Sequence, residues 1–138
     1  MGYTARKMNY CYVTVSNRAG SAAGILKALK SAGISLTAFS GFPASGGKAQ
    51  VDLIAERLGG IRQLARQHGW KLSRPKKGFL IQGTDEIGAI ERPISKLAAA
   101  KINVIAADAV AAGRGRYGMI LWVKRRDYGR AAKAIGAH

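Results

Sequence analysis

Two hydrophobic periods alternate along this chain, and they change places in an order that runs twice. "YCYVTV" at 10 to 15 is rich in β-branched and aromatic residues and predicts a strand. After the turn "NRAG", the apolar residues Ala22, Ile25, Leu26 and Leu29 recur at spacings of three and four. That period predicts an amphipathic helix over 21–32, ended by Gly33. Residues 34–42 predict a second strand, "PASGGK" a reversal, and 48–56 a third strand. In this third strand Ala49, Val51, Leu53 and Ala55 share one face while Gln50, Asp52 and Glu56 take the other, the mark of a sheet covered on one side. "LGGIRQLARQH" predicts a second helix through Ile61, Leu64 and Ala65, and "GWKLSR" a weaker fourth strand.

The same succession then returns. Sliding the chain by 68 residues without a gap puts Asn17 on Asp85, Gly20 on Gly88, Leu26 on Ile94, Leu29 on Leu97, Ile34 on Ile102, Leu36 on Val104 and Gly47 on Gly115. Matches at turn, helix and strand positions together identify a tandem duplication. The second copy predicts a strand at 79–83, a helix at 88–101 that Pro93 kinks or delays, a strand at 103–110, the turn "AAGRG", a strand at 115–124 and a helix at 127–136. No fourth strand follows in this copy. Because an open sheet edge invites unwanted pairing, residues Tyr3 to Met8 or a partner subunit are expected to cover it.

The order β-α-β-β-α-β is the ferredoxin-like split βαβ. The expected fold class is therefore α+β: two ferredoxin-like units in tandem, 8–76 and 77–138, with antiparallel sheets, helices on one face and the last strand of the second unit missing. In each unit the first strand runs into its helix through a turn, Asn17-Arg18-Ala19-Gly20 and Asp85-Glu86-Ile87-Gly88. A helix start presents free backbone N–H groups that attract carboxylates and other anions. Gly at the fourth place lets the chain turn sharply. Asn17 and Asp85 can cap the helix or accept a ligand ammonium, so a zwitterionic amino acid suits the pair of groups.

With these turns, the helices ending before "AGISL" and "AKINV", the Gly-rich hairpin and the strand order in both copies, the chain resembles the ACT domain family of regulatory modules that bind amino acids or other small metabolites. The resemblance covers residues 8 to 136 and implies two ACT units. It also implies a ligand bound between paired units by Asn17, Arg18, Ala19 and Gly20 in one and by Asp85, Glu86, Ile87 and Gly88 in the other. The Pro that usually precedes the Gly is here Ala19 or Ile87. A regulatory protein with no catalytic domain, working as a homodimer with a small-molecule ligand, is the implied function.

Composition adds less. Of 138 residues 48% are hydrophobic, enough for a core. No run of eighteen apolar residues and no signal-peptide pattern is present, so a soluble cytoplasmic protein is expected. Cys11, the single cysteine, reads as a small buried hydrophobe. His68 and His138 have no Cys, Asp or second His at ligand spacing, so no metal or cofactor is expected, and no nucleophile is accompanied by a base, so no catalysis. Asp108 reads as a strand carboxylate that is solvated or paired with a nearby Arg.

The net charge of +16 suggests attraction to polyanions, with 9 of the Lys and Arg residues before position 69 and 14 after it. The alternative reading is therefore an RNA-binding protein. RNA-recognition modules share this strand order and stack bases on strand aromatics, and "GRGRYGMILWV" at 113 to 123 partly resembles their third strand. There Tyr117, Met119, Leu121 and Val123 share one face, and Ile120 and Trp122 the other, which predicts burial on both sides.

Overall fold

The computed structural model describes residues 2–138. Its strands are β1 (Tyr3–Ser16), β2 (Ala38–Ala44), β3 (Lys48–Ile54), β4 (Lys76–Thr84), β5 (Val104–Gly113) and β6 (Arg116–Val123). The helices are α1 (Ser21–Ser31), α2 (Gly59–His68), α3 (Glu91–Ala99) and α4 (Tyr128–Ile135), the last preceded by a single 3-10 turn at Arg125–Asp127. Two compact units result. One is Asn9–Lys76; the other is Lys77–His138 together with the N-terminal segment through Met8.

In the first unit the strand order is β2-β3-β1, with β3 antiparallel to both neighbours. Its core gathers Val13, Val51 and Leu53 of the sheet against Ile25 and Leu29 of α1 and Ile61 and Leu64 of α2. The periodicity of both helices thus reports the face they bury. β2 begins later than expected because Gly33 and Ile34 close the helix end, donating to the Lys30 and Leu29 carbonyls at 3.0 and 2.9 Å, and the chain joins β3 only where Thr37 donates to the Ile54 carbonyl at 2.7 Å. It also runs on through Pro43, which an edge strand tolerates. "GWKLSR" is not a full strand. It contributes one bridge, Val13 to Leu72, and two bonds between Ser73 and the Tyr12 backbone, each at 2.8 Å.

The expectation of a sheet bare on one side is corrected here. Asp52 and Ile54, on the face away from the helices, are only 3% and 1% exposed. Burial pushes the Asp52 carboxyl above its ordinary range, against a hydrogen bond from Gln50 Nε2 at 2.9 Å. Cys11 is fully buried, its thiol pushed up by burial and drawn partly back by Arg62.

The second unit has the order β1-β4-β6-β5, so the residues Tyr3–Met8 of β1 lie alongside β4, at the place of a fourth strand. On its far side, Lys7 donates to the His138 carbonyl at 2.9 Å and His138 to that of Ala5 at 3.3 Å. The core packs Phe79 and Ile81 of β4 and Met119 and Leu121 of β6 under Leu97 of α3 and Ala131 and Ile135 of α4. α3 starts at Glu91, three residues later than periodicity predicts, which leaves Pro93 in the first turn where its missing N–H costs nothing. Among the described residues no helix is long and apolar enough to cross a membrane.

Candidate functional site

Both predicted turns form with parallel backbone bonds, but α1 follows Gly20 at once whereas α3 begins at Glu91, three residues after Gly88. The Asn17 amide donates to the Gly47 carbonyl at 2.9 Å, and the Asp85 amide donates to the Gly115 carbonyl at 2.8 Å. In each unit this bond ties the end of the first strand to the glycine hairpin of the second and third. Each turn then closes on a glycine with positive φ, +89° at Gly20 and +81° at Gly88, a conformation that favours glycine. Asn17, Arg18, Ala19 and Gly20 are all exposed, as are Asp85, Ile87 and Gly88, with Ile87 102% exposed.

No side chain caps α1 or α3, so the capping role open to Asn17 and Asp85 is not taken. The N-cap of α1 is Gly20 itself. Ser21 donates to the Arg18 carbonyl at 3.2 Å and Gly24 to that of Gly20 at 3.0 Å. The amides between them are those a helix start leaves without an intrahelical acceptor. That provides a weak anion attractor at the protein surface.

The two turns differ in charge. Arg18 stands in one where Glu86 stands in the other, and the Glu86 carboxylate lies 2.6 Å from Arg92 Nη1. Sequence reasoning missed a further repeated feature. Lys48 pairs in register with Ser16, and Arg116 with Thr84, so a cation of the hairpin flanks each turn. The signal was present, because 48 and 116 are also separated by the repeat offset.

Two open grooves, of about 430 and 420 Å³, lie elsewhere on the first unit. One is lined by Lys27, Ala28, Leu64 and His68, the other by Leu26, Lys30, Ile34 and Leu36. Among the described residues no three His, Cys, Asp or Glu side chains gather as a metal site.

Tyr117 and Met119, the strand positions of the alternative reading, form no exposed base-stacking surface. Tyr117 is 5% exposed and belongs to the core beneath the helices, and its hydroxyl faces the Ala89 carbonyl at 3.4 Å. Met119 lies in the same core. A ring covered by helices cannot stack on a nucleobase. Ile120 and Trp122 on the opposite face are buried too, as a strand apolar on both sides predicts.

No family model matches this chain, and no curated protein matches it in sequence. Solved structures do match in fold. The chain is similar to a protein from Bacteroides thetaiotaomicron, with TM-score 0.78 and 12% identity over 94% of this chain and 88% of that one. It is also similar to the ligand-free regulatory subunit of aspartate kinase from Thermus thermophilus, with TM-score 0.63 and 13% identity over 99% and 95%. A third likeness, to the allosteric aspartate kinase of Clostridium acetobutylicum, has TM-score 0.59 and 16% identity and covers 97% of this chain but 33% of the enzyme.

These identities establish the fold alone. It is a mixed α/β fold shared with regulatory subunits of aspartate kinase.

Proposed function

We propose that this chain is a regulatory protein that binds a small molecule, an amino acid, through two ACT-like units, and that it performs no catalysis. The ligand carboxylate is held by backbone amides at Asn17, Arg18, Ala19 and Gly20 or at Asp85, Glu86, Ile87 and Gly88. The Asn17 or Asp85 side chain takes the ammonium. The single observation that carries this reading is the duplicated bond of Asn17 to Gly47 and of Asp85 to Gly115, which presents the same exposed, uncapped turn twice. The shared fold with regulatory subunits of aspartate kinase supports it.

Function of this kind is a shift of populations. A ligand that binds one arrangement of the turns better than another biases the protein toward it, by no more than its differential affinity. A homodimer is part of the reading. β2 exposes Phe39 and Phe42, and β5 exposes Ile105 and Val110, each on a strand at the end of its unit's order; apolar edges of this kind are usually covered.

The test is a thermal-shift panel of the common amino acids at millimolar concentration, because a ligand at 100 times its Kd stabilises the native state by about 2.7 kcal/mol. One or a few should raise the melting temperature. A flat response to all of them contradicts the proposal.

A further inference from the structure

We infer that the second unit carries a docking rim for the phosphate backbone of duplex nucleic acid, bound without regard to sequence. This goes beyond metabolite binding and does not rest on it. The rim is the end of the unit where β4 and β5 begin and β6 ends. Val123, the last residue of β6, pairs with Val104, the first of β5. The pairing of Phe79 with Leu121 brings Lys77, two residues earlier, to the same level. Lys124, Arg125 and Arg126 follow β6 at once. Arg130 of α4 donates from Nη1 to the Ala100 carbonyl at 3.1 Å, which sets Lys101 at this end as well. All six cations are exposed. The one acid between 124 and 130 is Asp127, and its carboxylate binds Arg130 at 3.2 Å.

The internal repeat supplies a comparison within one molecule. At the offset of 68, Lys77, Lys101 and Lys124 fall on Asn9, Gly33 and Glu56. Three cations therefore stand where the twin unit has two neutral residues and an acid, so the fold itself does not demand them. Lys101 is the most telling. Its φ is +59°, in the left-handed region that Gly33 occupies at +72°. The same bonds close both helix ends: Lys101 to Ala98 and Ile102 to Leu97 at 2.9 Å, Gly33 to Lys30 at 3.0 Å and Ile34 to Leu29 at 2.9 Å. Glycine is the residue such a position favours. What lysine adds there is a charge at the rim.

The chemistry selects the occupant. Guanidinium forks and ammonium groups fix phosphates, and such contacts position a duplex without reading bases. The rim presents no stacking platform for single strands, since Tyr128 is half-buried and its ring lies on Phe79 with centroids 4.4 Å apart. Ile105 is an exposed large apolar side chain near this end, and a single one is too little to anchor in a lipid surface. The release of condensed counterions drives association of this kind.

The experiment is fluorescence anisotropy of a labelled 30-base-pair DNA duplex with the whole protein, between about 50 and 200 mM salt. We expect a dissociation constant of roughly micromolar order that weakens steeply with salt, by about 0.9 log units per log unit of salt for each phosphate neutralised. Lys77→Asn/Lys101→Gly/Lys124→Glu, which installs the twin's residues, should weaken binding at least tenfold and flatten the salt slope. Lys124→Glu alone, at an exposed position, should weaken it about threefold and reduce the salt slope. Removing four charges from the first unit, by Lys27→Gln/Lys30→Gln/Arg66→Gln/Lys71→Gln, should leave affinity within twofold. Circular dichroism confirms that each variant is folded. Four results overturn the inference: absence of duplex binding at the lowest salt, equal losses in the two multiple variants, tighter binding to single-stranded RNA than to duplex, or binding to phosphatidylserine vesicles but not to DNA.

Discussion

The phenol of Tyr128 donates to the Gly78 carbonyl at 2.8 Å while its ring lies stacked on Phe79. One side chain thus closes the first turn of α4 over the start of β4, and Lys77 Nζ sits 5.6 Å from the ring centroid. Burial pushes the Tyr128 hydroxyl up to about 12, against a lowering hydrogen bond from the Met8 backbone amide. The unfolded chain releases the same proton near its ordinary value, about 10. The stabilisation is therefore whole below about pH 10 and is lost as pH rises from there toward 12. Urea titrations between pH 9 and 12 should show stability falling in the wild type, and Tyr128→Phe should remove part of that fall. At neutral pH the same variant should cost about 0.5–1.5 kcal/mol, the usual worth of one hydrogen bond.

Asp52 gives a second pH dependence. Its carboxyl is raised by burial, so the folded state binds its proton more tightly than the unfolded chain does. Its stabilising contribution is present in acid and lost as pH rises through its own elevated value. Asp52→Asn keeps a group that can pair with Gln50 and carries no charge. It should leave acid stability unchanged and raise stability at pH 7, measured by denaturant midpoints at pH 3.5 and 7. A drop at pH 7 would show that the ionised carboxylate is held by stronger partners.

Left-handed backbone makes opposite predictions for glycine and for lysine. Gly20→Ala and Gly88→Ala force a side chain into φ near +85° and should each destabilise by about 1 kcal/mol. Lys101→Gly relieves such a conformation at φ +59° and should stabilise by about 0.5–1 kcal/mol, while Gly33→Lys should cost a similar amount. The two reciprocal variants, compared by urea midpoint, test whether the helix ends are as equivalent as their hydrogen bonds.

Much of this was legible in the residues. The spacing of Ile25 and Leu29, and of Ile61 and Leu64, fixed which helix faces are buried, because a period of 3.6 has one apolar side. The offset of 68 located both turns before their hairpin bonds were known. The less legible parts were those where long-range pairing outweighs local pattern. Polar Arg6 and Lys7 keep local pattern from showing β1 reaching back to Tyr3; only the missing fourth strand of the second copy pointed to residues 3–8, which β4 holds in place. Leu72 lies in a pattern that reads as a strand, yet only one bridge forms around it. Asp52 reads as solvated because alternation reports one covered face, and nothing local in the sequence announces cover on the second.

The most direct test of ligand binding at the duplicated turns is amide chemical-shift mapping by NMR, with the amino acid that most raises the melting temperature. The account predicts the largest saturable shifts at residues 17–24, at 85–92, or at both, and their loss in Gly20→Ala/Gly88→Ala. Shifts confined to the groove of Lys27 and His68, or to no residue at all, would contradict it.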